Sequence, residues 1–411
     1  MNPPVDLTWP TGGVARVPYR VYSDPELYAA EQARIFRGPV WNFLCLELEI
    51  PNPGDFKTTF VGETPVIVTR DHDGSVNAMV NRCAHKGALV CHEERGNVKS
   101  LTCVYHAWAY DLKGNLKGLA FKDGLRGQGG MPEDFDITCH RLEPLTVTTF
   151  CGLVFGTFAS DMMPIEDYLG PVISGNIRRV LGRPTKLLGF QSQMINNNWK
   201  LYAENIRDSY HATVLHTFYT TFKVNRLDMD GGIDVSDHGW HHMSFAKRES
   251  WVKDDQYDAE TIHASKYDSR LKGPSLLEAW PEFPDGITHC IQSVFPTLGV
   301  QMTLNSLAVR FFVPRGIDRT ELFWMYLGYE DDEAWQTRIR VNQSNLTGAA
   351  GFVSLEDGCI NEFVQRGTQG SPDRSAFMEM GGRDVGPSEG SRATETALRG
   401  FWTAYRTLME V

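Results

Sequence analysis

Two short motifs near the start of the chain each place one cysteine close to one histidine. Cys83 and His85 are separated by one residue, and Cys103 and His106, which follow after seventeen intervening residues, are separated by two. A [2Fe-2S] cluster can be bound by two thiolates and two imidazoles, with the imidazoles replacing two thiolates on one of the irons. The four residues therefore predict a metal cluster and an electron-transfer role.

A structural zinc site is the alternative, because zinc can also be bound by two thiolates and two imidazoles. Zinc modules usually pair like ligands, with two Cys in one turn and two His in the other, whereas each motif here contains one of each. Strand-like segments at 64–69, 76–80 and 101–110 flank the motifs and would place the ligands at two hairpin tips. The pattern favours a Rieske-type [2Fe-2S] cluster.

Two histidines later in the chain suggest a second metal site. His211 and His216 are five residues apart, so on an ideal helix they would point about 140° away from each other. They can converge only if the helix ends, bends or bulges between them. The i, i+4 pair of a zinc protease is absent. Two His and one carboxylate form the facial triad of non-haem Fe(II) oxygenases, which is the chemistry we expect here.

The third ligand must come from elsewhere, and Asp357 in the acidic pair Glu356-Asp357 is our candidate. The alternative is a helix-capping pair, with Ser354 at the N-cap and Asp357 three residues later. Asp208 lies three residues before His211, where its carboxylate can accept a hydrogen bond from that imidazole and fix its tautomer.

Composition excludes several other functions. The 411 residues carry a net charge of −11 without a run of Lys or Arg, which argues against a nucleic acid or an anionic membrane as partner. The apolar runs are too short to span a bilayer, and the N-terminus lacks the basic and apolar regions of a signal peptide. The eight scattered cysteines are typical of reduced thiols, so we expect a cytoplasmic protein.

The pattern of elements predicts an α+β protein. Residues 40–158 consist of short strand-like segments separated by Gly and Pro, which indicates an all-β domain. Before it, Asp24 and Pro25 mark the start of a helix. After it, helical patterning at about 199–215, 354–366 and 393–409 alternates with strands at 285–330.

Together these motifs resemble one family, the large (alpha) subunits of Rieske non-haem iron ring-hydroxylating oxygenases. The resemblance covers nearly the whole chain. Besides the seven candidate ligands and Asp208, the matching positions are Trp108, Asn198-Trp199-Lys200, Glu362 and Gln365. The chain departs from the family pattern at Lys86, where an Arg usually follows the first His. Lys keeps the charge but loses the planar fork of donors.

The resemblance implies a fold and a set of partners. It implies a Rieske domain at 40–158 and a catalytic domain at 1–39 and 159–411, with an antiparallel sheet flanked by helices (helix-grip, START-like). It further implies an α3β3 assembly with a small beta subunit, and electrons from an NAD(P)H-dependent reductase, with or without a ferredoxin. The substrates would be O2 and an aromatic ring, and the product a cis-dihydrodiol.

The resemblance also implies roles for the ligands. Cys83 and Cys103 would bind the buried iron of the cluster, and His85 and His106 the outer iron. The mononuclear iron would be bound by His211, His216 and Asp357. Asp208 would connect the two metal centres across a subunit boundary.

Within the family, the chain is most similar to members that act on aromatic carboxylates, terephthalate first, then salicylate, anthranilate and 2-halobenzoate. A carboxylate in an apolar pocket needs a cation, and Arg can bind both oxygens. Arg310 lies in an apolar strand, and Arg392 precedes the last helix. The alternative for both is an ordinary exposed or structural arginine. The remaining predicted substrate contacts are Val214, Phe218 and Ile291.

Two other functions stay open on the sequence alone. The first is a Rieske electron-transfer protein without oxygenase activity, for which the second metal site would have no use. The second is a zinc-stabilised binding module, which would be colourless and free of acid-labile sulfide.

Overall fold

The chain folds into two compact units, seen in a computed structural model that describes residues 6–248 and 271–411. One unit comprises Met1–Ile35 and Met163–Val411, and the other comprises Phe36–Met162. All eight cysteines are free thiols. None of the helices in these residues has the length and apolar character needed to cross a membrane.

The helices and strands are numbered in chain order. The α-helices are α1 (Pro25–Glu31), α2 (Ile165–Leu181), α3 (Trp199–Asn205), α4 (Ala212–Leu215), α5 (Thr217–Thr221), α6 (Ala334–Thr347), α7 (Phe352–Gln369) and α8 (Thr396–Met409). The strands up to residue 157 are β1 (Arg16–Pro18), β2 (Asn42–Leu46), β3 (Asp55–Val61), β4 (Thr64–Arg70), β5 (Val76–Val80), β6 (Arg95–Asn97), β7 (Leu101–Thr102), β8 (Ala109–Tyr110), β9 (Leu116–Gly118), β10 (Pro144–Phe150) and β11 (Leu153–Thr157). The later strands are β12 (Thr185–Ile195), β13 (Asp230–Val235), β14 (His242–Lys247), β15 (His289–Val294), β16 (Leu298–Thr303), β17 (Ser306–Pro314), β18 (Thr320–Tyr329), β19 (Ser375–Phe377) and β20 (Ser388–Glu389).

The Phe36–Met162 unit is built from two antiparallel sheets, as the strand pattern predicted. The larger sheet has the order β2-β11-β10-β5-β4-β3-β6, and the smaller one is β7-β8-β9. The turn between β4 and β5 contains Gly74 at φ 84°, a left-handed conformation that favours glycine. Phe56, Met79, Trp108 and Tyr110 belong to one buried core shared by both sheets.

The other unit is built on an eight-stranded antiparallel sheet. Its order is β12-β18-β17-β16-β15-β14-β13-β20. Helix α2 packs against β13, β14 and β15, whereas α6 packs against β17 and β18, and α7 contacts β12. This antiparallel sheet with flanking helices is the predicted α+β architecture.

A buried carboxylate fixes helix α3 in this unit. Glu31 accepts hydrogen bonds from Trp199 Nε1 at 2.7 Å, Lys200 Nζ at 2.6 Å and Tyr405 Oη at 2.8 Å. Glu31 and Lys200 are fully buried, so each charge depends on the other for compensation. The side chain of Asn198 caps α3 by accepting from Lys200 N. The Asn198-Trp199-Lys200 motif therefore positions the helix that leads to the histidines.

The start of one predicted helix is confirmed, and another predicted helix is divided in the structure. Helix α1 begins at Pro25, with Asp24 accepting hydrogen bonds from Glu26 N and Leu27 N, as predicted. The helix predicted at 199–215 is wrong as one element, because α3 ends at Asn205 and α4 starts only at Ala212. The interruption carries Asp208 and His211.

Candidate active site

The two histidines converge because the helix between them is broken. Helix α4 is only four residues long and ends at Leu215. The next residue, His216, has a non-helical ψ of 83°, and α5 begins directly after it. The rings of His211 and His216 therefore come together, with centroids 5.3 Å apart and planes at 73°. This is the helix break that the five-residue spacing requires.

Helix α7 supplies the third group. Asp357 Oδ1 lies 3.3 Å from His211 Nε2 and 3.3 Å from His216 Nε2. The candidate ligand atoms of the three residues all lie within 4.8 Å of one another. Helix α7 begins at Phe352 after the N-cap residue Gly351, so Ser354 lies inside the helix and the capping alternative for Asp357 is wrong.

The electrostatics of this cluster suit a cation. Burial would lower the pKa of His211, but Asp208 and Asp357 raise it to about 10. Burial would raise the pKa of Asp357, but hydrogen bonds from both imidazoles hold it well below its usual range. The carboxylates thus attract positive charge, which a divalent ion can supply in place of imidazole protons. Two imidazole nitrogens and one carboxylate oxygen match the donor set of non-haem Fe(II).

Each imidazole has a carboxylate next to its other nitrogen. Asp208 Oδ2 lies 3.3 Å from His211 Nδ1, and Glu356 Oε2 lies 2.7 Å from His216 Nδ1. These contacts leave both Nε2 atoms for a metal. Asn205 Nδ2 donates to Asp357 Oδ1 at 3.1 Å. Neither Glu356 nor Asn205 is predicted from the sequence as a site residue, although the acidic pair Glu356-Asp357 contains a signal for Glu356.

Replacing Glu356 with Ala is expected to lower iron affinity or turnover by about 10- to 100-fold, because His216 loses the acceptor that orients its ring. Iron titration of the chelator-treated protein and turnover measurements test this expectation. Glu356→Gln is the matched control, since its amide oxygen still accepts a hydrogen bond, and it should lose less. Equal iron affinity in Glu356→Ala and the unmodified protein would contradict this role.

Gln365 connects the helix that carries Asp357 to the segment that leads to His211. Its Oε1 accepts a hydrogen bond from Asn198 N at 2.7 Å, and its Nε2 donates to Tyr22 O at 3.2 Å. This side chain lies on α7, two helical turns after Asp357, and the bond to Asn198 joins α7 to the start of α3. The helix that carries Asp357 is thereby fixed against the helix that precedes His211.

The two Cys-His loops in the Phe36–Met162 unit have similar backbones. In each loop the amide four residues after the cysteine donates to the cysteine carbonyl, Gly87 N to Cys83 and Ala107 N to Cys103. Gly87 and Ala107 both have positive φ. The cysteines are buried, whereas His85 is exposed and His106 half-buried, with ring centroids 4.5 Å apart. Two buried thiols and two more exposed imidazoles that lie close together fit a Rieske cluster.

Two aromatic residues support these loops. Trp108 stacks on His85 with centroids 4.9 Å apart and an interplanar angle of 3°. Tyr110 Oη lies 3.2 Å from Cys83 Sγ and accepts from Ala84 N at 3.1 Å. Lys86 is the residue that departs from the family pattern. Its ammonium lies 5.9 Å from the ring centroid of Tyr105, a residue of the second loop.

A cavity with about 510 Å³ of empty space, part of which is open to solvent, lies beside the His211, His216 and Asp357 cluster. Three of the predicted substrate residues line it: Ile291, Arg310 and Arg392. The other two do not. Val214 is exposed, and Phe218 packs against Phe222 and Phe352, with ring centroids at 4.7 and 6.1 Å.

The two arginines of the cavity differ in their partners. Arg392 donates to Asn225 Oδ1 and to the carbonyl of Arg226, contacts that hold its guanidinium in place. Arg310 is 3% exposed and donates only Nη1, to Tyr202 Oη at 3.2 Å. Its Nε and Nη2 have no acceptor, and it forms no ion pair with any residue in 6–248 or 271–411. Trp324 packs against it, with the guanidinium carbon 4.8 Å from the ring centroid.

Comparison with known proteins identifies the class of the chain. Residues 40–126 match the Rieske [2Fe-2S] domain family, and residues 176–411 match the family of ring hydroxylating alpha subunits (catalytic domain). The chain therefore belongs to the Rieske non-haem iron ring-hydroxylating oxygenases, as a large (alpha) subunit. It is an aromatic ring-hydroxylating dioxygenase subunit that uses a Rieske [2Fe-2S] cluster and a mononuclear iron.

Its relatives cover almost the entire chain. It is 51% identical over 403 residues to terephthalate 1,2-dioxygenase, terminal oxygenase component subunit alpha 2, of Comamonas sp., covering 98% of this chain and 97% of the relative. It is 43% identical over 405 residues to the anthranilate 1,2-dioxygenase large subunit of Burkholderia cepacia, covering 98% and 96%. The fold matches naphthalene 1,2-dioxygenase from Rhodococcus sp. bound to indole, with a TM-score of 0.79 at 24% identity over 96% of this chain and 94% of that one.

Proposed function

We propose that this dioxygenase subunit acts on an aromatic carboxylate, with terephthalate as the substrate and a cis-dihydrodiol as the product. The observation that carries the proposal is Arg310, a buried guanidinium in the cavity with two nitrogens free of acceptors. A buried charge without a partner is costly, so a site that keeps one is suited to an anionic ligand. The relative that is 51% identical to this chain is named terephthalate 1,2-dioxygenase.

The proposed roles of the metal ligands follow the donor sets. Cys83, His85, Cys103 and His106 would hold the [2Fe-2S] cluster, in a Rieske domain that we assign to Phe36–Met162. His211, His216 and Asp357 would hold the mononuclear iron, in the catalytic domain formed by the rest of the chain. When bound, the cluster supplies single electrons and the mononuclear iron activates O2 for addition to the aromatic ring.

The other side chains of the cavity position the substrate. Arg310 would bind the carboxylate through its free Nε and Nη2, which fixes the ring in one orientation. Ile291 and Val353 line the same cavity and would contact the ring faces. Arg392 adds a second positive charge to the wall, which suits a substrate with two carboxylates.

We further propose that the chain assembles with a small beta subunit, as α3β3, and receives electrons from an NAD(P)H-dependent reductase, with or without a ferredoxin. The name of the 51% identical relative describes it as the alpha subunit of an oxygenase component. Beside His106, Val104 and Tyr105 are 76% and 60% exposed, an apolar surface of the kind that partners cover. Asp208, partly exposed and 3.3 Å from His211, would link the site to the neighbouring subunit's cluster.

Turnover by the purified oxygenase with its small subunit and a reductase tests the substrate. The substrates compared are terephthalate, benzoate, anthranilate, salicylate, 2-chlorobenzoate and the uncharged terephthalamide. We expect a dihydrodiol from terephthalate and no product from terephthalamide, because an amide gives Arg310 no charge to neutralise. Turnover of terephthalamide at the rate of terephthalate, or of none of the carboxylates, would contradict the proposal.

A further inference from the structure

A further polar residue in the cavity wall is His289, the first residue of β15. It is 3% exposed and lines the cavity together with Arg310 and Arg392. Its ring packs edge-on against Tyr219, with centroids 6.0 Å apart. His289 is remote in sequence from the candidate metal ligands, and neither the sequence motifs nor the proposed function uses it.

One ring nitrogen of His289 lies next to Thr303. Antiparallel pairing places Thr303 directly opposite His289. Thr303 Oγ1 accepts from Gln301 Nε2 at 2.8 Å and lies 3.2 Å from His289 Nδ1. We assign Nδ1 as the acceptor of the Thr303 hydroxyl hydrogen, which places the proton of the neutral ring on Nε2. Nε2 has no hydrogen-bond partner among the described residues.

The surroundings keep the ring neutral. Burial lowers the pKa of His289, and the positive charges of Arg392 and Arg310 lower it further, to about 3. At neutral pH the ring is therefore an uncharged imidazole close to two cations. Its Nε2–H is a donor without an acceptor in a cavity where positive charge already favours an anion.

We propose that His289 determines specificity by donating its Nε2–H to a second carboxylate of the substrate, the one that Arg310 does not hold. This inference rests on the proposed function, because it takes the ligand to be an aromatic carboxylate, and it adds that the ligand carries a second acceptor group. A site with a fixed donor selects against a ligand that lacks the matching acceptor, because binding would then leave the donor buried and unpaired. Benzoate lacks that acceptor.

Two substitutions of similar shape separate this role from a structural one. His289→Gln keeps an N–H near the position of Nε2, whereas His289→Met fills similar space without a donor. Dissociation constants for terephthalate and benzoate are measured by calorimetry on the oxidised holoenzyme. We expect His289→Met to weaken terephthalate binding by about 10-fold or more and benzoate binding by less than about 3-fold, with His289→Gln close to the unmodified enzyme for both.

The possible outcomes separate this inference from the proposed function. Equal losses for the two ligands, no loss in His289→Met, or a Gln variant as weak as the Met variant would overturn the role of His289. An unmodified enzyme that binds benzoate as tightly as terephthalate would also overturn it, while leaving the anchoring role of Arg310 intact. An unmodified enzyme that binds neither ligand would overturn the proposed function itself. Visible absorption of the cluster and iron content show that each variant is intact.

Discussion

Replacing Asp357 with Ala is expected to abolish turnover and remove the mononuclear iron, while the [2Fe-2S] cluster stays in place. Asp357 is the one carboxylate of the three candidate ligands, and its Oδ1 lies 3.3 Å from both imidazoles. Without it, two neutral imidazoles remain to hold a divalent ion. The loss should exceed the ~100-fold that removal of an outer hydrogen-bond partner costs.

Iron analysis and visible spectra distinguish the two metal sites. The candidate cluster ligands lie in the Phe36–Met162 unit, whereas Asp357 lies in the other. The variant should therefore keep the absorption of the Rieske cluster and lose the additional iron. Product formation is followed by chromatography with saturating reductase.

Glu362→Ala is the matched control for Asp357→Ala. Glu362 lies five residues later on the same helix, is half-buried, and contacts Asn196 Nδ2 at 3.4 Å. This control should keep its iron and its activity. A loss of iron in Glu362→Ala would point to disruption of α7, and a third iron retained in Asp357→Ala together with activity would contradict the assignment of Asp357.

The candidate metal ligands could be chosen from the sequence because most of them lie close together along the chain. Each Cys-His pair lies within one loop, and the spacing of His211 and His216 by itself requires the helix break that the structure contains. Asp357 could be chosen as the third candidate because it belongs to an acidic pair in a later predicted helix. The pattern of short strands likewise predicted the all-β unit, whereas the antiparallel sheet with flanking helices was implied by the family resemblance.

The cavity wall could not be predicted in the same way, because it depends on strand register and on packing between distant segments. Gly299 lies opposite Arg310, and a Cβ there would lie 2.4 Å from Ile206 Cδ1, so this glycine lets the end of α3 approach the sheet. His289 faces Thr303 through the β15–β16 register. Val214 and Phe218 are close to the histidines in sequence but lie outside the cavity, since Val214 is exposed and Phe218 packs against Phe222 and Phe352.

Replacing Arg310 with Met is expected to weaken binding of the aromatic carboxylate by about 30-fold or more, the equivalent of ~2 kcal/mol. The same change should stabilise the ligand-free protein. The buried guanidinium has one hydrogen bond, to Tyr202, and no ion pair within the described ranges. Removing an uncompensated buried charge and filling its space with an apolar side chain should raise the free energy of unfolding by about 1 to 3 kcal/mol.

Arg340 is the matched control, because it is also fully buried but has charged partners. Its Nε and Nη2 pair with Asp332 at 2.8 and 2.9 Å, and Nη2 lies 2.9 Å from Glu282. Arg340→Met should lower stability by about 3 to 5 kcal/mol, since it leaves the buried Asp332 carboxylate without its paired cation. Both substitutions replace a buried Arg with Met, yet they should shift the melting temperature in opposite directions.

Calorimetric binding and thermal unfolding of the holoenzyme test both expectations, with Arg310→Lys as a third variant. Lys keeps the charge but cannot offer two parallel N–H donors to a carboxylate, so its binding should fall between the unmodified enzyme and Arg310→Met. Unchanged carboxylate affinity in Arg310→Met would contradict the anchoring role. A drop in melting temperature as large as that of Arg340→Met would show that Arg310 stabilises the fold. A stable Arg310→Met variant with weak binding would show that Arg310 serves substrate binding at a cost in stability. The buried charge would then be compensated by the substrate and not by the fold.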